Sequence, residues 1–107
     1  GQNKKPNILF LMTDQHSMRV LGSYGNQIIK TPNLDKLANE GVIFKSNYCQ
    51  NPICLPSRAS LITGKMPSSL GIFGNDGVLR EKTTMATVFA AQGYEVAWLG
   101  KEHWGCN

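Results

Sequence analysis

Three short stretches of this sequence hold residue types that can do chemistry. The first is Cys54-Leu55-Pro56-Ser57-Arg58. Proline is favoured at the start of a helix, so Pro56 opens one over residues 57–63 and leaves Cys54 just before its N-terminus. Unpaired amides and the helix dipole converge there, which suits an anion and makes a thiol a reactive nucleophile. Arg58 adds a permanent positive charge about one turn away. A plainer role is open to both: Cys54 as a small buried apolar residue, Arg58 as a surface charge.

The second stretch is Asp14-Gln15. A carboxylate beside an amide oxygen makes two hard donors for Ca²⁺, Mg²⁺ or Mn²⁺. Asp14 equally suits capping of the turn that follows. His16 adjoins the pair. The third is Gly100-Lys101-Glu102-His103. In an extended loop Lys101 and His103, two apart, project to one side, and an ammonium beside an imidazole suits an oxyanion. An ordinary polar loop accounts for the same spacing.

The elements that would position these stretches are those of an α/β protein. Residues 7–13 (NILFLMT) form an apolar run bounded by Pro6 and Asp14, a strand buried on both faces. Loop chemistry follows to Gly25, with room for a short helix. Thr31 caps a helix with Pro32 in its first position, Leu34, Leu37 and Ala38 on one face, and Gly41 at its end. Residues 42–48 alternate as a second strand. Residues 66–80 are rich in Gly, Pro and Ser and predict no regular element. Thr83 or Thr84 caps a helix running to Gln92, with Gly93 at its end, and residues 94–99 form a third strand. The order β-α-β-α-α-β predicts a mostly parallel sheet with flanking helices. All three chemical stretches follow a strand or open a helix, so they should converge at the carboxyl edge of that sheet. Three strands leave two open edges, and the chain reads as a piece of something larger.

Composition excludes several classes. At 107 residues the chain is one domain at most, and 41% hydrophobic content is too high for disorder. No apolar run reaches the roughly 20 residues of a membrane span. The net charge of +4 comes from scattered lysines and arginines, without the basic face or run of a nucleic-acid binder. Three cysteines cannot all pair, so a dense disulfide framework is excluded. The first residues, GQNKKP, lack the apolar stretch of a signal peptide; this suits a cytoplasmic protein or an exported one already processed.

Cys54-Leu55-Pro56-Ser57-Arg58, continuing as Ala59-Ser60-Leu61-Ile62-Thr63-Gly64-Lys65, resembles the signature of type I sulfatases, in the alkaline phosphatase-like superfamily. The resemblance extends to Lys5-Pro6-Asn7-Ile8-Leu9 through Asp14-Gln15, to Gly22-Ser23-Tyr24-Gly25-Asn26, to Thr31-Pro32-Asn33-Leu34-Asp35-Lys36-Leu37-Ala38, to Gly41-Val42-Ile43-Phe44, and to Gly93-Tyr94 through Gly100-Lys101-Glu102-His103. It implies that residues 1–107 are the N-terminal part of a sulfatase catalytic domain, inactive alone because further metal ligands follow residue 107.

The resemblance further implies that Cys54 is oxidised to Cα-formylglycine by a formylglycine-generating enzyme that reads Pro56 and Arg58. The aldehyde hydrates to a diol; one hydroxyl attacks sulfur and releases the alcohol, and the other then expels sulfate. Asp14, Gln15 and residue 54 would bind Ca²⁺, Arg58 would stabilise the diol, and Lys101 and His103 would hold sulfate oxygens. Lys65 would add positive potential. The substrate implied is a small-molecule or saccharide sulfate ester, and export to the periplasm or medium is favoured. Two departures stand out: Gln15 where many members carry a second aspartate, and Glu102 where many carry an aromatic residue.

Rival readings remain. Phosphonate and phosphate monoester hydrolases share the superfamily. Cys49, Cys54, His103 and Cys106 could form a small zinc module. Cys54 with His103 could make a thiol protease. A Cys-x5-Arg phosphatase loop fails on spacing, since Arg58 stands four residues after Cys54 and nine after Cys49.

Overall fold

The computed structural model describes residues 5–104. Cys106, one of the zinc-module residues, lies outside them. The chain divides into two compact units, Gly1–Ser46 and Asn47–Asn107. Among the described residues no helix is long and apolar enough to cross a membrane.

In the first unit residues 5–13 run without regular structure to a bend at Asp14 and Gln15. Two 3-10 turns follow, Met18–Val20 and Gly22–Tyr24, then helix α1, Pro32–Glu40. Pro32 opens α1 as expected. Thr31 sits at the N-cap position but makes no cap: its hydroxyl accepts from Gly22 N–H (2.9 Å) and donates to Asp35 Oδ1 (3.0 Å). Asp35 Oδ1 also accepts from Ser23 N–H at 2.7 Å. The carboxylate in the first turn of α1 therefore ties down the 22–24 turn, and Gly22 is required there. A Cβ on Gly22 would collide with the Asp35 carboxylate.

The second unit is built on helix α2, Cys54–Thr63, which packs against the 3-10 turn Pro67–Leu70 and helix α3, Met85–Ala91. Leu55, Ala59 and Ile72 form its core, with Leu70 and Leu79 packed on the edge. Gly64 ends α2 in the left-handed region (φ 68), where glycine carries no Cβ penalty, and donates to Ser60 O. Thr84 rather than Thr83 caps α3, through a capping box with Thr87. Gly93 (φ 80) turns the chain so that Tyr94 meets Phe89 edge-on at 5.2 Å. The stretch 66–80, expected to be irregular, contains the 67–70 turn.

The expected sheet does not form among the described residues. Segments 7–13, 42–48 and 94–99 carry no strand pairing. Their apolar side chains stand in solvent; Leu9 is 81% and Leu99 93% exposed. The reason is physical. A helix satisfies its own amides, whereas a strand needs a neighbour in register, supplied from elsewhere in sequence.

Candidate active site

The approach to α2 is a turn in which Asn51 Oδ1 accepts from Ile53 N–H at 2.8 Å. Ile53 is the N-cap and has no side-chain acceptor to offer. Cys54 is the first helical residue, half-buried with a free thiol, so the helix begins three residues before the expected Ser57. Pro56 is accommodated because amides in the first turn have no intrahelical partner to lose. The first ladder bond is Ser57 N–H to Ile53 O, 3.0 Å. The cluster of unpaired amides expected at this end is reduced. Pro56 has no N–H, and Leu55 N–H is taken by Asn75 Oδ1 at 3.0 Å.

Arg58 lies one turn beyond Cys54 on the same helix face. It is no surface charge: 7% exposed, it donates from Nη1 to the main-chain carbonyl of Lys101 at 3.0 Å. Residues 43 apart are thereby joined. The loop that carries Lys101 and His103 is held again at its far end, where Leu79 N–H donates to Trp104 O (2.9 Å). Trp104 also stacks edge-on with Trp98 at 5.3 Å. Gly100 (φ 97) starts the loop, Lys101 and Glu102 are exposed, and His103 is half-buried. The loop is not extended as expected. His103 adopts φ 56, which breaks the two-residue alternation on which a shared side for Lys101 and His103 was argued. His103 Nδ1 is enclosed with no hydrogen-bond partner among the described residues.

Asp14 and Gln15 belong to the first unit and are both exposed at the bend after residue 13. Gln15 has φ 41. Among the described residues Gln15 and His103 are the non-glycine positions with positive φ, and both belong to stretches singled out for their chemistry. Strained backbone of this kind clusters where function holds a residue in place. Asp14 and Gln15 offer oxygens suited to a hard cation, but two donors fall short of the roughly six to eight that Ca²⁺ takes. Among the described residues no three His, Cys, Asp or Glu side chains gather as a metal site. Cys49 is exposed with a free thiol. Lys65 adds no unmatched charge: its Nζ donates to Glu81 Oε2, and Glu81 Oε1 accepts from Thr83 N–H at 2.9 Å. The Lys65 hydrogen bond, then the Thr83 amide, hold the Glu81 carboxyl down at about 2.

Asn75 is the residue that sequence reasoning missed. It lies in Gly74-Asn75-Asp76-Gly77, which reads locally as turn chemistry. Nothing near it in sequence signals a bond reaching 20 residues back to the start of α2.

The profile of the Sulfatase family matches residues 6–107. An ulvan-active sulfatase of Formosa agariphila is 47% identical over 92% of this chain and 20% of its own length. An N-acetylglucosamine-6-O-sulfatase of Bacteroides thetaiotaomicron is 38% identical over 95% of the chain and 18% of its own. An arylsulfatase of Clostridium perfringens is 44% identical over 92% and 21%. The chain thus spans about a fifth of the length of these relatives. With the Cys54–Arg58 helix start and the Lys101–His103 loop lying inside a match of this extent, the chain belongs to the sulfatase family.

Proposed function

We propose that this chain is the N-terminal part of a longer enzyme that hydrolyses a sulfate monoester, with residue 54 as the nucleophile after conversion of the cysteine to Cα-formylglycine. One observation carries the reading. The buried Arg58, a turn from Cys54, bonds to the backbone of Lys101, so the nucleophile's helix and the Lys/His loop are joined through a single guanidinium. A sulfate ester bound there would meet fixed positive charge, and the charge that builds on its oxygens would be matched by groups already in place. Arg58 holds the loop and lends its charge to the residue 54 side chain. Lys101 binds sulfate oxygens. His103, through its imidazole, holds the residue 54 side chain and a sulfate oxygen.

Asp14 and Gln15 would hold a divalent cation, with Ca²⁺ ahead of Mg²⁺ and Mn²⁺, completed by donors outside this chain. When bound, the ion supplies Lewis acidity at the ester oxygens. Segments 7–13, 42–48 and 94–99 would enter the parallel sheet of an alkaline phosphatase-like domain once the rest of the protein provides their neighbours. A saccharide sulfate is the favoured substrate, since one relative is named for N-acetylglucosamine-6-O-sulfate chemistry. We favour export; fractionation of the source cells for the full-length protein tests it.

The burial of Leu55, Pro56 and Arg58 bears on maturation. An enzyme that reads the Cys-x-Pro-x-Arg side chains needs them exposed, so it must act before this helix packs. The decisive experiment uses the full-length protein co-expressed with a formylglycine-generating enzyme. The mass of the residue 54 peptide, and turnover of an aryl sulfate against an aryl phosphate and an aryl phosphonate, are measured for wild type and Cys54→Ala. An aldehyde with preferred sulfate turnover, both absent in Cys54→Ala, supports the reading. An unmodified thiol despite active maturation enzyme overturns it.

A further inference from the structure

We propose that Asn75 is a positioning residue for the nucleophile at residue 54, a role that rests on the function proposed above. The first turn of α2 lacks a local cap, because Ile53 at the N-cap has only an apolar side chain. The acceptor comes instead from Asn75, whose Oδ1 takes Leu55 N–H at 3.0 Å. Leu55 follows residue 54 directly and is completely buried. Residue 54 is therefore set between Ile53, whose carbonyl starts the helical ladder, and Leu55, which is held by both its side chain and its amide.

Asn75 is exposed, and the segment that carries it is anchored at Ile72. Ile72, 1% exposed, packs against Leu55 and Ala59, and its N–H donates to Pro67 O at 3.0 Å. The turn that presents Asn75 is tight. A Cβ on Gly77 would lie 3.1 Å from Ile72 Cγ2, and one on Gly74 would lie 2.8 Å from Asp76 Oδ1. Four residues on, Leu79 N–H holds the carbonyl of Trp104, next to His103. Segment 72–79 thus grips the start of the nucleophile's helix with Asn75 and the end of the Lys/His loop with Leu79. A serine or aspartate at position 53 could cap the same turn locally. Capping it from Asn75 makes the position of residue 54 depend on the segment that also fixes the loop.

The test uses the matured full-length protein, with Asn75→Ala, Asn75→Asp and Asn75→Ser compared with wild type. Thr84→Ala serves as a destabilised comparator, since it removes a helix cap that makes none of these contacts. Aldehyde occupancy, melting temperature, kcat and KM on an aryl sulfate are read for each. Asn75→Ala is expected to lower kcat per aldehyde roughly 10- to 100-fold, with KM within about twofold. Asn75→Asp keeps the acceptor oxygen and restores most of kcat, and Asn75→Ser falls between. Thr84→Ala lowers the melting temperature and leaves kcat per aldehyde unchanged. Wild-type kcat per aldehyde in Asn75→Ala overturns the role, even if that variant melts earlier. A loss that Asn75→Asp does not rescue overturns it too. If Asn75→Ala does not fold, the other two variants decide: Asn75→Ser below Asn75→Asp in kcat supports the role, and equality overturns it. Matured wild type without sulfate turnover removes the proposed function, and this role with it.

Discussion

The guanidinium of Arg58 donates to the main-chain carbonyl of Lys101 at 3.0 Å from a site that is 7% exposed. A buried cation is costly unless polar groups surround it, and a carbonyl bond from a charged donor is among the stronger hydrogen bonds. Through this bond a helix residue sets the place of a loop far along the chain.

Removing that donor should therefore cost both stability and turnover. Arg58→Ala in the full-length protein is expected to lose about 1.5–3 kcal/mol, the range for a hydrogen bond to a charged group. Arg58→Lys keeps the charge but not the planar fork, so it should recover little of either. Denaturant melts and steady-state kinetics on an aryl sulfate check both variants. Wild-type stability in Arg58→Ala would contradict the buried contact.

Gly22 and Gly25 should fail in different ways. A Cβ at Gly22 displaces the Asp35 carboxylate and with it the bonds from Ser23 N–H and the Thr31 hydroxyl. Gly22→Ala should cost roughly 1–3 kcal/mol, as expected when a polar network is broken. Gly25 has φ 100 and open space around its Cβ position, so Gly25→Ala meets backbone strain alone, about 1–2 kcal/mol. Only Gly22→Ala should become milder when Asp35 is already alanine. A double-mutant cycle measures this.

Glu81 should make stability pH-dependent at the acid end. Its carboxyl titrates at about 2 in the folded chain, against 4.5 without its partners. The folded state thus binds this proton more weakly than the unfolded one. The stabilisation is complete above pH 4.5 and is lost as pH falls towards 2. Melting curves of wild type and Glu81→Gln should differ at neutral pH and converge over that window. With Lys65 half-exposed, high salt should shrink the difference. A gap undiminished at pH 2 would refute the pairing with Lys65.

Asp14 should govern the response to divalent cations. In the full-length protein Ca²⁺ is expected to raise the melting temperature and a chelator to lower it, because a ligand of the folded state alone stabilises it by mass action. Asp14→Ala should flatten that response. Gln15→Asp, which adds a second carboxylate, should move it to lower Ca²⁺. An unaltered Ca²⁺ response in Asp14→Ala would remove this residue from the metal site.

Local chemistry made the helices legible. Pro32 at the first position of α1, the Thr84–Thr87 box and the glycines at 41, 64 and 93 all act within one turn of where they stand. Spacing put Arg58 about one turn from Cys54, but the sequence left Cys54 outside a helix starting at Ser57; that both stand on α2 came from the structure. Thr31 shows where this stops. Its position was readable, but its hydroxyl serves Gly22 and Asp35 rather than the end of α1.

By itself the sequence determined the three α-helices to within a turn, a threonine cap for α3, the candidate residues and the family resemblance, because each rests on contacts between near neighbours or on the residues themselves. Only the tertiary structure decided what crosses long separations: the burial of Arg58 against Lys101, the remote capping of α2 by Asn75, and the left-handed turn at His103. The strands mark the same boundary from the other side. Their apolar pattern is plain in residues 7–13, 42–48 and 94–99, yet no strand ladder joins them among the described residues, because a strand's hydrogen bonds belong to its neighbours and not to itself.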